Sequence, residues 1–236
     1  MIMIKLFNGD CLIEMKKIES STVDFIFSDI PYGTTMCKWD SVIDLDLMWE
    51  QLKRIIKPNG AIALMAQTPF DKILGCSNLD MLRYEYIWEK PAATGFFNAK
   101  KMPLKAHENI LVFYNKLPTY NPIMTHGHKR KTASRTGAKS ECYGKDFVKT
   151  NYDSTSRYPR SIQKISTERG LHPTQKPVAL GEFMIETFTN EKDTVLDFTM
   201  GSGSFGVAAK NLNRKFIGIE KELSTFELAS GRINHD

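Results

Sequence analysis

Long apolar runs and closely spaced cysteines are both absent from this sequence of 236 residues. No apolar stretch approaches the roughly 20 residues that a membrane helix needs. The apolar start lacks the charged beginning and the cleavage site of a signal peptide. The four cysteines are scattered, without the spacing of a zinc site or of a disulfide framework. These absences predict a cytoplasmic protein with no membrane contact, no metal and reduced thiols.

Charge is unevenly distributed along a chain of otherwise ordinary globular composition. Residues 93–170 contain fifteen Lys and Arg against five Asp and Glu, so this segment carries +10 and the rest of the chain −5. A basic segment on an acidic body indicates a polyanionic partner, most simply nucleic acid. A solvated, partly flexible loop explains the charge equally well.

Strand-like and helix-like stretches alternate on both sides of an irregular middle region. The predicted strands are residues 2–6, 23–28, 61–65, 84–88, 109–114, 194–198 and 215–220. The predicted helices are residues 12–18, 46–56, 70–78, 178–188, 205–212 and 223–233. This alternation predicts a single α/β domain over residues 1–236 with a doubly wound, mostly parallel sheet. Residues 116–170 lack periodicity and are predicted to be an insertion that is either functional or disordered.

A glycine-rich loop follows an apolar strand late in the sequence. Gly201, Gly203 and Gly206 have the spacing G-x-G-x-x-G between a predicted strand and a predicted helix, and glycine lets the backbone approach a ligand closely. The next predicted strand ends in Glu220, whose carboxylate can accept hydrogen bonds from ribose hydroxyls. Together these features indicate an adenosine-containing cofactor, although a tight strand-to-helix turn alone also requires glycine.

A nicotinamide-dependent oxidoreductase is the main alternative for such a loop. Only thirty residues follow Gly206, whereas a dinucleotide fold builds several further strand–helix units after it. Asp197, at the end of the preceding strand, also suits a cationic ligand group better than a pyrophosphate. The other strands must therefore come from earlier residues, which disfavours the oxidoreductase.

The sequence Asp29-Ile30-Pro31-Tyr32 follows the second predicted strand, where parallel-sheet proteins place their chemistry. Pro31 pushes Ile30 toward an extended conformation and so fixes the direction of the Ile30 carbonyl. One carboxylate and one carbonyl can bind both N–H groups of an exocyclic amine and stabilise charge developing on its nitrogen. Tyr32 offers an aromatic face for a base that has left the helix. Taken alone, a plain Pro-Tyr turn explains the motif slightly better.

Together these motifs resemble the β class of DNA amino-methyltransferases, a family of site-specific DNA-methyltransferases. The segment DFTMGSGSFGVAA, followed by FIGIE, is similar to the family's DPFMGSGTTGVAA…FIGIE pattern, and the catalytic motif lies upstream of it as in that family. Residues 172–177 match the family's HPTQKP motif, and residues 9–11 match its GDC segment. The resemblance covers both halves of the chain and fails only in the basic middle. It implies a Rossmann-like methyltransferase fold with a permuted motif order.

The resemblance also implies a cofactor, S-adenosyl-L-methionine, and the residues that hold it. Glu220 would bind the ribose hydroxyls, and His172, Thr174 and Lys176 the methionine carboxylate. The implied cofactor-binding set is Asp10, Cys11, Asp29, His172, Thr174, Lys176, Asp197, Met200, Gly201, Ser202, Gly203 and Glu220. The implied catalytic set is Asp29, Ile30, Pro31 and Tyr32. Core filling by Cys11 and a surface charge at Lys176 are the simpler alternatives.

Two departures from the family pattern bear on the reaction. Ile30 replaces the first proline of Asp-Pro-Pro-Tyr but keeps the carbonyl, and Phe198-Thr199 replaces Pro-Phe. Asp29 at the first catalytic position points to adenine, since the family's cytosine-N4 enzymes usually carry serine there. The resemblance therefore implies methyl transfer to adenine N6 in duplex DNA by base flipping. The alternatives are a cytosine-N4 enzyme, a degenerate DNA-binding module and an RNA methyltransferase.

The basic middle occupies the place of the family's target-recognition region. Its predicted DNA-binding residues are Lys129, Arg130, Lys131, Arg135, Arg157 and Arg160, with Arg169 as a further candidate. Tyr143, Tyr152 and Tyr158 are candidates for stacking on bases. A second basic loop, with Lys100, Lys101 and Lys105, is predicted near the catalytic pocket. Double-stranded DNA is the implied partner, and the oligomeric state is left open between monomer and homodimer.

Overall fold

The computed structural model describes residues 2–33, 42–135, 150–168, 170 and 175–235. The chain divides into two compact units, one formed by Met1–Asn121 with Ser161–Asp236 and the other by Pro122–Arg160. The smaller unit falls inside the predicted insertion, while residues 116–121 and 161–170 belong to the larger unit.

Strands and helices alternate through most of the larger unit. Before the smaller unit the elements are β1 (Ile4–Asn8), α1 (Cys11–Glu14), β2 (Val23–Asp29), α2 (Leu45–Ile55), β3 (Ile56–Ala66), α3 (Phe70–Cys76), β4 (Leu82–Thr94) and β5 (Lys105–Phe113). The smaller unit contains β6 (Lys131–Arg135) and β7 (Thr150–Ser154). After it come β8 (Ile162–Lys164), α4 (Val178–Phe188), β9 (Thr194–Asp197), α5 (Ser204–Asn211), β10 (Lys215–Glu220) and α6 (Leu223–His235).

The larger unit is built on one eight-stranded sheet with the order β1-β10-β9-β2-β3-β5-β4-β8. The first five strands in this order are parallel, and β5 is antiparallel to both β3 and β4. From β9 the chain continues to β10, and from β2 it continues to β3, so it leaves this neighbouring pair of strands in opposite directions. The predicted fold class, a doubly wound and mostly parallel sheet, is confirmed, and the β9–β2 pair is its topological switch point.

Burial on both faces explains the three consecutive apolar residues in the middle of β2, Phe25–Phe27. Phe25 and Phe27 face one hydrophobic core, where the Phe27 ring stacks on Phe205 of α5 at 4.1 Å. Ile26 faces the opposite core, beneath α2. The strand is therefore held between helical layers, and its carboxyl end is fixed in position.

Several element boundaries were predicted wrongly. Residues 57–60, predicted to end a helix, extend β3, where Lys57 Nζ forms an ion pair with Asp24 Oδ1 of β2 at 2.6 Å. β4 is 13 residues long, well beyond the predicted 84–88. The middle region was predicted to be irregular but contains β6, β7 and β8. Its strands are polar and exposed, so they give none of the alternation that predicts a half-buried strand.

Among the residues that the structure describes, no helix is both long enough and apolar enough to span a bilayer.

Candidate active site

A cavity of about 690 Å³ opens at the carboxyl edge of the sheet, beside the switch point. Its size lies within the range of small-molecule sites. Its lining includes the predicted residues Asp10, Cys11, Asp29, Ile30, Pro31, Tyr32, Lys176, Asp197, Met200, Gly201, Ser202 and Glu220. Adjacency of β2 and β9 brings together motifs that are about 170 positions apart in sequence.

Two partners from different parts of the chain hold the Asp29 carboxylate. The Tyr32 hydroxyl donates to Asp29 Oδ1 at 2.5 Å, and Lys176 Nζ forms an ion pair with Asp29 Oδ2. Ile30 is buried in the core below the turn. The Tyr32 ring lies 5.7 Å from the Phe70 ring. The turn is therefore anchored by its apolar residue and presents its polar groups to the cavity.

Thr199, one of the departures from the family pattern, links the two halves of the site. Its hydroxyl donates to the Asp29 backbone carbonyl at 3.1 Å. Just before it, the Phe198 N–H donates to Ser28 Oγ at 3.0 Å. The turn after β9 is thus bonded directly to the turn after β2.

A chain of alternating charges extends from Asp29 into the protein. Lys176 lies between Asp29 and Glu108, with Lys176 Nζ 3.6 Å from Glu108 Oε2, and Lys90 forms an ion pair with Glu108 Oε1. Burial of Glu108 raises its pKa, but the two lysines more than offset this, and the net shift is downward. Burial lowers the pKa of Lys176, yet Asp29 and Glu108 raise it overall. Glu108 and Lys176 therefore stay charged at neutral pH.

Lys90 and Glu108 were not predicted from the sequence. Glu108 is only 4% exposed and stands opposite Trp88 in the β4–β5 register. Lys90 lies 5.0 Å from the Trp88 ring. The available signal was a carboxylate directly before the predicted strand of residues 109–114. Its partner Lys90 could be found only from the pairing register of β4 and β5.

The glycine loop is held by Glu220 at the end of β10. The Gly201 N–H donates to Glu220 Oε2 at 3.0 Å, and the Glu222 N–H donates to Oε1 at 2.9 Å. Gly201 has φ +51° and Gly203 φ +79°. A Cβ at Gly203 would lie 3.2 Å from the Ala229 Cα of α6. Gly203 therefore supports the loop from behind, outside the cavity lining.

The other predicted cofactor residues differ in their hydrogen bonds and in their burial. Asp10 caps α1 by accepting from the Leu12 N–H at 3.0 Å. Burial, reinforced by Asp10, raises the pKa of Cys11 to about 11, so its thiol is a neutral wall of the cavity. Met200 and Ser202 are buried. His172 and Thr174 lie outside the described residues.

Glu168 is a further residue that sequence reasoning missed. Its carboxylate accepts from the Val178 N–H at 2.9 Å and from Gln175 Nε2 at 3.1 Å, and it lies 3.7 Å from Arg232. It therefore ties the segment that carries Lys176 to the start of α4 and to α6.

Asp197 is almost fully buried at the end of β9. Burial raises its pKa from 3.8 to about 8, and Asp29 and Glu220 add to the rise, whereas hydrogen bonds from Ser28 and Thr199 oppose it. The folded state therefore binds this proton more tightly than the unfolded chain does. The stability that protonated Asp197 contributes is complete below about pH 4 and is lost as the pH rises toward about 8.

Replacing Asp197 with asparagine should remove this pH dependence. We expect the free energy of unfolding of the variant, relative to the unsubstituted protein, to increase from pH 5 to pH 8.5, because an amide never ionises. Urea unfolding at several pH values measures this difference. Asp80→Asn, at an exposed carboxylate, is the matched control and should show no such trend. A relative stability of Asp197→Asn that is constant across this range would contradict the expectation.

The predicted DNA-binding set from Lys129 to Arg160 lies in the smaller unit, where Arg130 and Arg157 bond to other residues of the same unit. Arg130 forms a two-pronged ion pair with Asp153, at 2.7 and 2.6 Å. The Arg157 guanidinium donates to three backbone carbonyls, those of Lys129, Ser154 and Ser156. Lys129, Lys131 and Arg160 are exposed, and the side chain of Arg135 lies outside the described part. Tyr158 is exposed and Tyr152 half-buried, whereas Tyr143 and Arg169 are not described.

Comparison with known proteins gives a consistent set of relatives. A family model described as DNA methylase matches residues 23–230. DNA adenine methyltransferase YhdJ of Escherichia coli (strain K12) is 29% identical over 252 residues, covering 97% of this chain and 82% of the relative. Type II methyltransferase M.HinfI of Haemophilus influenzae is 27% identical over 258 residues, covering 97% of this chain and 67% of the relative.

Solved structures share the same fold. The crystal structure of the M1.HpyAVI–SAM complex superposes with a TM-score of 0.67 and 25% identity, covering 98% of this chain and all of that one. The cytosine-N4-specific PvuII DNA methyltransferase gives a TM-score of 0.73 at 15% identity, covering 97% and 86% of the two chains. At that identity the second likeness supports the fold alone.

Proposed function

The chain belongs to the family of DNA methylases that comprises the N6-adenine and N4-cytosine enzymes, and from this premise we propose that it methylates adenine N6 in duplex DNA. Its methyl donor is S-adenosyl-L-methionine. The observation that carries the adenine proposal is an aspartate, Asp29, at the first catalytic position, with its carboxylate facing the cavity beside Tyr32. The chemically similar alternative is cytosine N4, whose exocyclic amine presents the same two N–H groups.

The cavity fits the cofactor in its size and in the polar groups that line it. A Cβ at Gly201 would meet no atom within 4 Å, so the loop leaves open space where a ligand can approach the backbone. Glu220 offers a carboxylate suited to ribose hydroxyls. Burial keeps Asp197 largely protonated at neutral pH, and a bound ammonium group would favour its carboxylate form, because a positive charge lowers the pKa of a carboxyl. When bound, the cofactor supplies an electrophilic methyl group on a sulfonium sulfur. We assign cofactor binding to the residues that the family resemblance implies. Gly203 contributes by packing the loop against α6, because it does not line the cavity.

Asp29 and Ile30 act on the amine of the target base. A carboxylate has about four acceptor positions, so Asp29 can accept one N–H while it keeps Tyr32 and Lys176 as partners. The Ile30 carbonyl accepts the other N–H, which draws the nitrogen toward tetrahedral geometry and localises its lone pair. Asp29 is then placed to accept the proton that the nitrogen loses. Pro31 sets the direction of the carbonyl, and Tyr32 supplies the face on which the flipped base stacks.

Identification of the methylated base tests this function directly. The purified protein is incubated with unmethylated DNA and cofactor carrying a labelled methyl group, and the nucleosides are analysed by mass spectrometry after digestion. We expect labelled N6-methyladenine, with none in a reaction that lacks the protein. Label found only in N4-methylcytosine would replace adenine by cytosine as the target. Absence of label in any nucleoside would remove the DNA methyltransferase activity altogether.

We also propose that the smaller unit, within residues 116–170, contributes DNA recognition to a single methyltransferase domain spanning the chain. β6 and β7 pair as an antiparallel hairpin. Lys129 and Lys131 carry the electrostatic part of DNA binding, because both are exposed at the start of this hairpin. Replacing both with alanine should weaken DNA binding similarly for all sequences. It should also make the slope of log affinity against log salt concentration shallower, by the equivalent of about two released counterions. Binding titrations at several salt concentrations measure the slope. Lys16→Ala with Lys17→Ala, on the larger unit, is the control pair, and an unchanged slope in the hairpin variant would contradict the assignment.

A further inference from the structure

The loop between β4 and β5, residues 95–104, displays a cluster of large apolar side chains to solvent. Phe97 is fully exposed at 102%, Phe96 is 81% exposed, and Met102 and Leu104 are 53% and 41% exposed. Single exposed apolar residues are common, but four of them within ten residues of one loop favour a surface that binds a partner. Nothing in the reaction at Asp29 accounts for it.

The loop presents these side chains on an ordered turn. Gly95 adopts φ +89° and starts a short 3₁₀ turn over Phe96–Asn98. Backbone bonds then follow from Asn98 to Gly95 at 2.9 Å and from Ala99 to Phe96 at 3.0 Å. The Lys101 and Met102 N–H groups both donate to the Asn98 carbonyl, at 2.8 and 3.0 Å. A partner therefore meets a turn that is already organised, which lowers the entropic cost of binding.

Sheet topology places the loop at the rim of the active-site cavity. β4 and β3 point the same way because each is antiparallel to β5. The carboxyl end of β4 therefore lies at the same edge of the sheet as the ends of β2 and β3. Ala92 and Thr94, the last residues before the turn, line the cavity. The exposed phenylalanines thus follow directly from the cavity wall.

The charge around the loop selects the kind of partner. Lys100, Lys101 and Lys105 lie within or beside it, and residues 91–107 contain no Asp or Glu. A second copy of the same loop would be repelled by these like charges. Duplex DNA offers phosphates for the lysines and, once a base has been extruded, an apolar gap between base pairs for an aromatic ring.

We propose that the β4–β5 loop inserts Phe97 into the base stack at the position that the target base vacates, while Lys100 and Lys101 contact the flanking phosphates. This inference rests on the proposed base-flipping function and adds a residue that stabilises the opened duplex. The loop acts on the DNA left behind, whereas Asp29 and Tyr32 act on the base that enters the cavity.

Two duplexes separate a role in opening DNA from a role in chemistry. Both contain the recognition site identified by mapping the methylated base, and in one of them the target lies opposite an abasic position, so the pair is already open. We expect Phe97→Ala to lower kcat/KM about tenfold to a hundredfold on the intact duplex, the scale of one base–aromatic stack. On the opened duplex its kcat/KM should come within about threefold of the unsubstituted protein. Phe97→Trp should retain activity on both.

Leu79→Ala is the matched control, since Leu79 is 63% exposed but lies before β4, at the opposite edge of the sheet. It should be indistinguishable from the unsubstituted protein on both duplexes. The proposal is overturned if Phe97→Ala methylates the intact duplex normally, or if it is equally impaired on both. It is also overturned if the unsubstituted protein sediments as a dimer that Phe97→Ala breaks, because the loop then binds a second copy. Failure of the unsubstituted protein to methylate either duplex would instead refute the proposed function.

Discussion

Replacing Asp29 with alanine is expected to lower methyl transfer to DNA by roughly a thousandfold while S-adenosylmethionine binding stays close to normal. The substitution removes the carboxylate that accepts an N–H of the target amine and the nearest acceptor for its proton. Asp29 is only one of the residues assigned to the cofactor, which retains the glycine loop and Glu220, so the loss of cofactor binding should be small. Transfer of label into DNA and calorimetric titration with the cofactor measure the two effects separately.

The fold should tolerate this substitution. Lys176 keeps Glu108 as a partner when Asp29 is lost, and the Tyr32 hydroxyl can reach solvent through the cavity. Asp29→Asn keeps one acceptor oxygen without the charge, so an intermediate loss is expected. Asp80→Ala, at an exposed carboxylate on the far edge of the sheet, should leave transfer unchanged. Full activity in Asp29→Ala would remove this residue from the chemistry.

The second large effect is expected from Lys176→Met, which should lose both stability and activity. Glu108 is buried and would keep only Lys90 as a counter-charge, and Asp29 would lose its ammonium partner. Breaking a fully buried ion pair costs roughly 3–5 kcal/mol. Because Lys90 remains, we expect a smaller loss of unfolding free energy, on the order of 2 kcal/mol. Urea unfolding at neutral pH measures it.

Two further variants show whether the loss comes from the buried charge. Adding Glu108→Gln to Lys176→Met should recover part of the stability but no activity, because a neutral amide needs no ammonium beside it. Lys164→Met breaks an exposed pair with Glu89 and should cost less than about 1 kcal/mol. Equal losses in Lys164→Met and Lys176→Met would show that burial of the network does not matter.

The parts of the site predicted from the sequence are those that depend only on where a parallel strand ends. Asp29 and Asp197 each terminate an apolar run, and the ends of parallel strands meet at one edge of a sheet, so their proximity followed from the pattern. The same reasoning gave the doubly wound sheet and most of its helices. Whether each residue performs its implied role in binding stays a prediction until the variants are measured.

The parts that were missed depend on long-range pairing. Lys90 meets Glu108 only because β4 and β5 pair with Trp88 opposite Glu108, and no local pattern encodes that register. Lys176 lines the cavity, and its role at the cofactor stays a prediction. Its ion pairs with Asp29 and Glu108 were not predicted, because the three residues lie far apart in sequence. The β6–β7 hairpin was missed because its strands are polar on both faces.

The adjacency of β2 and β9 has a consequence for cutting the chain. The residues proposed to act on the base lie before position 121, and the glycine loop and Glu220 lie after position 161. A backbone cut within the smaller unit would therefore leave two fragments, each with half of the active site. One fragment would carry β2 and the other β9, the two strands that hydrogen-bond to each other at the site. Neither fragment alone would be a methyltransferase. Methylated DNA in a cell that produces both fragments would therefore report that the two had assembled.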